Sequence, residues 1–540
     1  MSKKKQSLIL GALIGSAGIF LTKFIGMIYV IPFNALVGEG NMAFYSYAYR
    51  TYTYILNVSS AGFPFAIAAL VAKYMVKDDY DTVLAIRRIS FYIMSLFGMI
   101  GMFGLILMST PLAQIVSPID ASIEYLNIVK TCYCIISLAL FFVPVLSVYR
   151  GFYQGLKELT LYAQSQVVEQ VVRVVFLLVA GFISVYVFKS NRIMAVYFAV
   201  LSTSIAAVVA IIQFVFRDRV VFKDLKEKAN RKVTKDEYKR ILNEMLQYAL
   251  PYMIVSILGY SYFIIDMLVF NRTMGLRGEI NADLIYGIIN MNVDKLTSIP
   301  MAVAPGFSVA VVPYISASYE EKNYPQASRY VNEAIITSLY LALPLTLVLA
   351  SLSKPLYYIF YGATYTELGG KILRWYSLDG LASTISPVIT SITMALGLRK
   401  QNMKNVAIGI FIKLVSVVPL IYLLGYPGAC LSSVIGTLSG CLLNFLDVNR
   451  RVEVPKRDFI NALCKIVLCL LFTQIVFVLG QKLGLVIVNQ GRVIGLIQFI
   501  VLGGFGAVTY LISSFYFKLP QYILHKSTDE LLTMIRLKRS

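Results

Sequence analysis

An all-α polytopic membrane protein of about fourteen transmembrane helices is the fold class this sequence predicts, and three observations carry it. The 540 residues are 58% hydrophobic and only 14% charged, with a mean hydropathy of +0.73, which excludes a soluble protein built on one large core. Apolar runs of the ~20 residues that cross a ~30 Å hydrocarbon layer recur along the whole length, too long and unbroken for the alternating strands of a barrel. Lys and Arg gather in alternate connections between those runs, so most of the net charge of +21 is a topology signal and not a nucleic-acid surface.

The runs lie at roughly 8–36, 42–76, 86–110, 124–148, 161–188, 193–216, 246–272, 284–316, 329–353, 372–397, 403–424, 428–449, 459–481 and 492–517. The start, Met1-Ser2-Lys3-Lys4-Lys5, has the basic character of a signal peptide. The run after it is long and lacks a clear small-residue cleavage site, so it reads as a retained first helix with a cytoplasmic N-terminus. The inside connections are then 77–85, 149–160, 217–245, 317–328, 398–402, 450–458 and the tail 518–540, and both termini are expected in the cytoplasm. The longest connection, 217–245, carries ten Lys and Arg residues from Arg217 to Arg240, against scattered outside bases such as Lys189, Arg192 and Arg277. It separates an N-lobe, 1–216, from a C-lobe, 246–449, each of six helices, with two further helices in 450–517. Its bases read as a topology determinant anchored on anionic headgroups, or as a regulatory docking segment.

The first half repeats weakly in the second. Aligning Gly62 with Gly306 sets an offset of 244 residues, and the same offset pairs Gly15 with Gly259, Ala66 with Ala310, Asp79 with Asn323 and Tyr80 with Tyr324. The copies lie six helices apart, an even number, so they run in the same direction. That is the parallel type of repeat, two pseudo-symmetric lobes around a central cavity with the substrate site at their interface. The offset also pairs Arg50 with Asp294, which a two-fold would bring face to face.

Charges inside apolar runs are the candidate site. Asp294-Lys295-Leu296-Thr297-Ser298-Ile299-Pro300 sets an acid beside a base where an ionised group costs at least ~2.5–3.5 kcal/mol, so both must face something polar: an internal ion pair or the wall of a hydrated cavity. Lys23 is too deep in the first run, among Gly11, Gly15, Gly18, Gly26 and Pro32, to snorkel easily. Tyr47, Arg50, Tyr54 and Asn57 share one helix face, and Asn290, Asp294 and Thr297 form the matching stripe. The guanidinium of Arg50 suits bidentate contact with phosphate oxygens. Lys23, Arg50, Lys295, Asn57 and Asn290 are therefore the expected substrate-binding residues. Asp294 and Asp266 are the expected counter-ions or coupling-ion ligands. Glu169 and Arg173, four apart, read as satisfying each other, and Asp379 and Lys413 likewise as structural.

Other chemistries lack their residues. The six cysteines, Cys132, Cys134, Cys430, Cys441, Cys464 and Cys469, lie within apolar runs and the one histidine is His525, so no zinc site can be assembled. There is no nucleophile elbow and no Walker loop. A non-enzymatic transporter without cofactor or metal, driven by a gradient or potential, is expected.

Several of these segments resemble the MurJ-type lipid II flippases, in particular the SpoVB/YtgP-like branch of the multidrug, oligosaccharidyl-lipid and polysaccharide exporter superfamily. Asp294-Lys295-Leu296-x-x-Ile299-Pro300 and Val312-Pro313-x-x-Ser316 are similar to the family's Asp-Arg-Leu-x-x-Leu-Pro and Pro-x-x-Ser pattern, and Thr22-Lys23-Phe24-Ile25-Gly26 is similar to its Ser-Arg-x-x-Gly segment. Lys23 and Lys295 each replace an arginine, keeping charge but losing the fork, and Ser298 stands where relatives often carry an acid. The resemblance implies a multi-pass protein of the bacterial cytoplasmic membrane, acting as a monomer. It would carry lipid II outward by alternating access, its diphosphate held by cavity bases and its polyprenyl tail by the helices of 459–481 and 492–517, with a monovalent cation as a further possible partner. A flippase for another polyprenyl-diphosphate glycan (capsule, teichoic or spore-cortex precursor) and a multidrug or cation antiporter are the alternatives. An antiporter would favour an acid-dominated site, and three bases against Asp266 and Asp294 argue for an anionic load.

Overall fold

The computed structural model describes residues 25–26, 29–60, 62–156, 158–229, 231, 233–301, 314–485 and 491–524. These residues are almost wholly helical, with no strand among them. They pack as two compact units, Met1–Met291 and Asn292–Ser540. In the first, the helices are α1 (Val30–Val37), α2 (Met42–Ser60), α3 (Phe63–Met75), α4 (Tyr80–Val116), α5 (Ile123–Gly155), α6 (Leu159–Phe182), α7 (Arg192–Lys228), α8 (Lys235–Leu276) and α9 (Ala282–Gly287). In the second they are α10 (Asp294–Met301), α11 (Tyr324–Ser351), α12 (Ser353–Tyr361), α13 (Thr366–Ala395), α14 (Arg399–Leu424), α15 (Tyr426–Val452), α16 (Lys456–Lys482), α17 (Arg492–Tyr516) and α18 (Leu519–Leu524).

Ten stretches among the described residues are long and apolar enough to cross a membrane, so the chain is an all-α polytopic membrane protein. Four of the fourteen expected spans are not among them. The first and eighth fall largely or partly outside the described residues, Lys23 and 302–313 included. The seventh and tenth are the described helices α8 and α13.

The weak repeat has a structural counterpart within each unit. Asp79 caps α4 by accepting the Thr82 amide at 3.1 Å, and Asn323 caps α11 by accepting the Gln326 amide at 3.2 Å. Their φ/ψ values are −87°/75° and −87°/73°. The residues before them, Asp78 and Lys322, are both left-handed, at φ 52° and 60°. The carbonyls of Tyr74 and Ser318, again 244 apart, accept the amides of Asp79 and Asn323. A short side chain at the N-cap satisfies one of the helix's orphan N–H groups in both copies.

Helix pairs approach closely where glycine removes the side chain, the usual device where lipid supplies no hydrophobic drive for association. In the first unit, α5 lies on α3 so tightly that a Cβ on Gly151 would meet the Pro64 carbonyl oxygen at 2.7 Å, and one on Gly155 would meet Val71 at 2.6 Å. In the second, α14 and α15 enclose a buried polar column in which the Asn405 amide donates to Asn444 Oδ1 at 2.9 Å and Asp447 Oδ2 at 2.8 Å. Further along, the fully buried Lys413 donates to Ser433 Oγ at 2.7 Å. The outer faces of α16 and α17 are apolar and exposed, with Leu471, Phe472 and Ile475 on one and Ile497, Ile500 and Phe505 on the other.

The basic connection 217–245 is mostly helical, formed by the end of α7 and the start of α8, and it is clasped to the first unit. Asp218 pairs with Arg87 and accepts Tyr153 Oη at 2.7 Å. Lys73 pairs with Glu244 at 2.9 Å. Arg231 reaches Asp79 Oδ2 at 3.1 Å and Glu237 Oε1 at 2.6 Å, and its amide donates to Asp81. Burial pushes the Asp79 carboxyl upward, but hydrogen bonds from Thr82 and Arg231 outweigh it and hold the group below its ordinary value of 3.8. The Thr234 amide and Arg231 hold Glu237 below 4.5. A depressed folded-state value stabilises above the unfolded value and is lost as pH falls through the folded one. Hydrogen exchange should therefore show residues 233–238 protected down to about pH 4.5 and opening only below 3.8; opening between pH 5 and 6 would contradict this reading of the clasp.

Candidate substrate site

In the first unit, α2 presents its polar stripe to α8. The Arg50 guanidinium carbon sits 4.3 Å from the ring centroid of Phe263, a cation–π contact worth about 0.5–2 kcal/mol. Asn57, on the same face, lies against Tyr260, and its Nδ2 also donates to the Thr53 carbonyl at 2.7 Å. Arg50, Asn57 and Asp266 are all half-buried. Tyr286 of α9 has Arg50, Tyr47, Tyr133 and Asp266 as its electrostatic neighbours, so one guanidinium and one carboxylate share the surroundings of a fully buried phenol.

Tyrosines and amides hold this arrangement rigid. Tyr47 and Tyr286 stack with centroids 5.0 Å apart. Asn271 Nδ2 donates to Tyr47 Oη and, at 2.6 Å, to the Val116 carbonyl. Thr51, one turn from Tyr47, donates to Tyr133 Oη at 3.3 Å. Each bond satisfies a polar group that would be costly to leave unpaired away from water.

Between α9 and α10 the helix widens into a π-turn, Ile288–Val293, a local expansion that often marks functional positions. Asn290, half-buried, donates to the Tyr286 carbonyl at 3.0 Å. Beyond it the second unit begins. The Asn292 carbonyl accepts Tyr361 Oη at 2.9 Å and its side-chain amide donates to Tyr357 Oη at 2.8 Å, so two tyrosines of α12 serve the groups that the widened turn releases.

Asp294 and Lys295 follow at the start of α10, both half-buried. The Lys295 ammonium has no ion-pair or hydrogen-bond partner among the described residues. Neighbouring Ser298 is exposed and bonds back to the Lys295 carbonyl at 2.6 Å. A Cβ on Gly380 of α13 would come within 3.2 Å of both the Cβ and the carbonyl oxygen of Thr297, so α10 rests directly on that glycine. Gly380→Val should lower stability by about 1–3 kcal/mol through overpacking, read as a drop in thermal midpoint in detergent; an unchanged midpoint would show that α10 is not seated there.

The structure thus gathers Arg50, Asn57 and Asp266 around the α2–α8 face, sets Asn290 on the π-turn and puts Asp294 and Lys295 on α10. Lys23 lies outside the described residues. Sequence reasoning missed Phe263 and Tyr286, because an apolar ring and one tyrosine among 37 carry no signal of their own. It also missed Arg150, which stands so near the end of a span that it reads as an interfacial base.

The model of the family described as "Polysaccharide biosynthesis protein" matches residues 8–319, and the MatE model matches residues 251–423. The chain is 31% identical to the lipid II flippase MurJ of Bacillus subtilis (strain 168) over 529 residues, covering 96% of this chain and 97% of that one. It is 24% identical to stage V sporulation protein B of the same organism over 474 residues, covering 86% and 88%. Among solved structures, the inward closed conformation of the lipid II flippase MurJ superposes with a TM-score of 0.66 at 15% identity, covering 95% of this chain and all of that one.

Proposed function

We propose a lipid II flippase, on the premise that the chain belongs to the polysaccharide biosynthesis protein family and, within it, to the relatives of the lipid II flippase MurJ. The load is a polyprenyl diphosphate carrying the peptidoglycan precursor, moved from the inner to the outer leaflet by alternating access. A diphosphate cannot enter hydrocarbon alone, because an unpaired charge there has lost its water.

The observation that carries this reading is the half-buried Lys295 ammonium, which finds no hydrogen-bond or ion-pair partner among the described residues. An anionic substrate supplies the missing partner. Arg50 is the second base, its guanidinium backed by the Phe263 ring and its fork suited to a phosphate oxygen. Lys23 is the third, with Asn57 and Asn290 as amide ligands. Asp294 and Asp266 compete with the diphosphate for these bases and so reset the empty protein, with or without a monovalent cation. An inside-negative membrane potential favours outward movement of an anion. The apolar faces of α16 and α17 accommodate the polyprenyl tail, and both termini are cytoplasmic, with the clasped basic segment on anionic lipid.

The test is translocation of labelled lipid II in proteoliposomes. Protein-dependent exposure of lipid II supports the reading, and exposure no faster than in empty vesicles overturns it. A second load, another polyprenyl-diphosphate glycan, is favoured by the family-model match over residues 8–319; it is selected if teichoic or capsular precursors move and lipid II does not.

A further inference from the structure

Deep in the first unit, two arginines share one carboxylate. Glu169 Oε2 accepts Arg150 Nη2 at 2.7 Å, and Glu169 Oε1 accepts Arg173 Nη2 at 2.6 Å. The three side chains are only 15%, 11% and 15% exposed, in the order Arg150, Glu169, Arg173. Arg150 Nε is satisfied by Ser165 Oγ at 3.0 Å, whereas Arg173 Nε is buried with no hydrogen-bond partner among the described residues. Glu169 and Arg173 lie ten and fourteen residues into α6, about 15 and 21 Å along its axis, well inside a ~30 Å hydrocarbon layer.

A structural lock between α5 and α6 would need one arginine. The second leaves a net positive charge in the membrane interior, where uncompensated charge is costly and marks function. Beyond Glu169, the electrostatic neighbours of Arg173 are Tyr45, Tyr49 and Tyr52, phenols and not carboxylates. They stand on α2, the helix that carries Arg50, and Tyr45 and Tyr49 stack at 5.7 Å. Gln170, next to Glu169, lies 3.4 Å from where a Cβ on Gly26 would be, so the cluster also adjoins Gly26.

We propose that Arg150, Glu169 and Arg173 form a second anion-binding station, at which Arg173 turns its free Nε and a terminal nitrogen onto a phosphate oxygen of the lipid-linked substrate while Glu169 retains Arg150. The proposal rests on the flippase reading above. It assigns the station to the phosphate of a polyprenyl lipid, and the fork geometry makes arginine, not lysine, the residue required.

Full-length protein in nanodiscs is titrated with undecaprenyl diphosphate, with undecaprenol and with inorganic pyrophosphate. R173Q should weaken undecaprenyl diphosphate binding about tenfold or more and R173K by a smaller factor, with undecaprenol binding unchanged. E169Q, which frees a guanidinium, should bind the diphosphate lipid at least as tightly as wild type. A structural lock has the opposite sign: E169Q would then weaken binding as much as R173Q, with an equal fall in thermal midpoint, and that result overturns the proposal. So does wild-type affinity in R173Q, or competition by pyrophosphate at the same concentration as the lipid. If R173Q does not fold, R173K carries the test, and unchanged binding in it is the overturning result. Loss of binding in R50Q but not in R173Q removes the station and leaves the flippase reading standing. Wild type that fails to distinguish diphosphate from undecaprenol removes the flippase reading itself.

Discussion

Arg50→Glu abolishes transport while leaving most of the protein folded. The guanidinium is half-buried and rests on the Phe263 ring, so its removal forfeits a contact of about 0.5–2 kcal/mol, well short of the total stability of a polytopic protein. The effect on the load is far larger. A carboxylate at that position repels a diphosphate and adds to the negative charge of Asp266, which shares the surroundings of Tyr286 with Arg50. Arg50→Lys, which keeps the charge and loses the fork, falls between the two. The measurements are lipid II translocation and thermal midpoint on the same preparations. Full transport by the glutamate variant would remove Arg50 from the site.

Gly62→Ala is the second large effect, and it acts through packing. A Cβ on Gly62 would fall on the Ala249 carbonyl oxygen of α8, and neither backbone can give way as a flexible side chain would. The glycine is in ordinary right-handed conformation, φ −84° and ψ −20°, so the requirement is for space and not for a special backbone angle. Adding one methyl must therefore push α8 from the break between α2 and α3, at a cost of about 1–3 kcal/mol or more. Because Phe263 and Asp266 ride on the same helix about four turns further on, the displacement also loosens their approach to Arg50. A lowered thermal midpoint together with a reduced translocation rate is expected. A variant with unchanged midpoint and rate would show that the two backbones have room.

Which features were readable follows from how local their signals are. The spans stand out because their apolar runs are contiguous, α8 and α13 included as the runs 246–272 and 372–397. The stripe of Arg50 and Asn57 was legible because both lie on one helix at helical spacing. Its backing by Phe263 was not, since it depends on packing between residues 213 positions apart. The repeat was faint in identities, yet its turn recurs in cap geometry at Asp79 and Asn323 because a left-handed residue and a short acceptor are demanded there, whatever surrounds them. The π-turn at Ile288–Val293 has no compositional signature; it becomes visible only through the tyrosines that satisfy the Asn292 groups. Glu169 and Arg173 could be paired by their spacing alone. Arg150, nineteen residues before Glu169, joined them only in three dimensions.

Lipid II at the outer surface of living cells is the most direct measure of the central claim. Cells lacking other flippases are depleted of this protein and re-supplied with wild type or with Arg50→Glu, and outer-leaflet lipid II is read with an impermeant probe. The flippase account requires exposure to fall on depletion and to return with wild type alone. Exposure that never changes would contradict it, leaving the membrane fold intact and the load to be sought among other lipid-linked glycans.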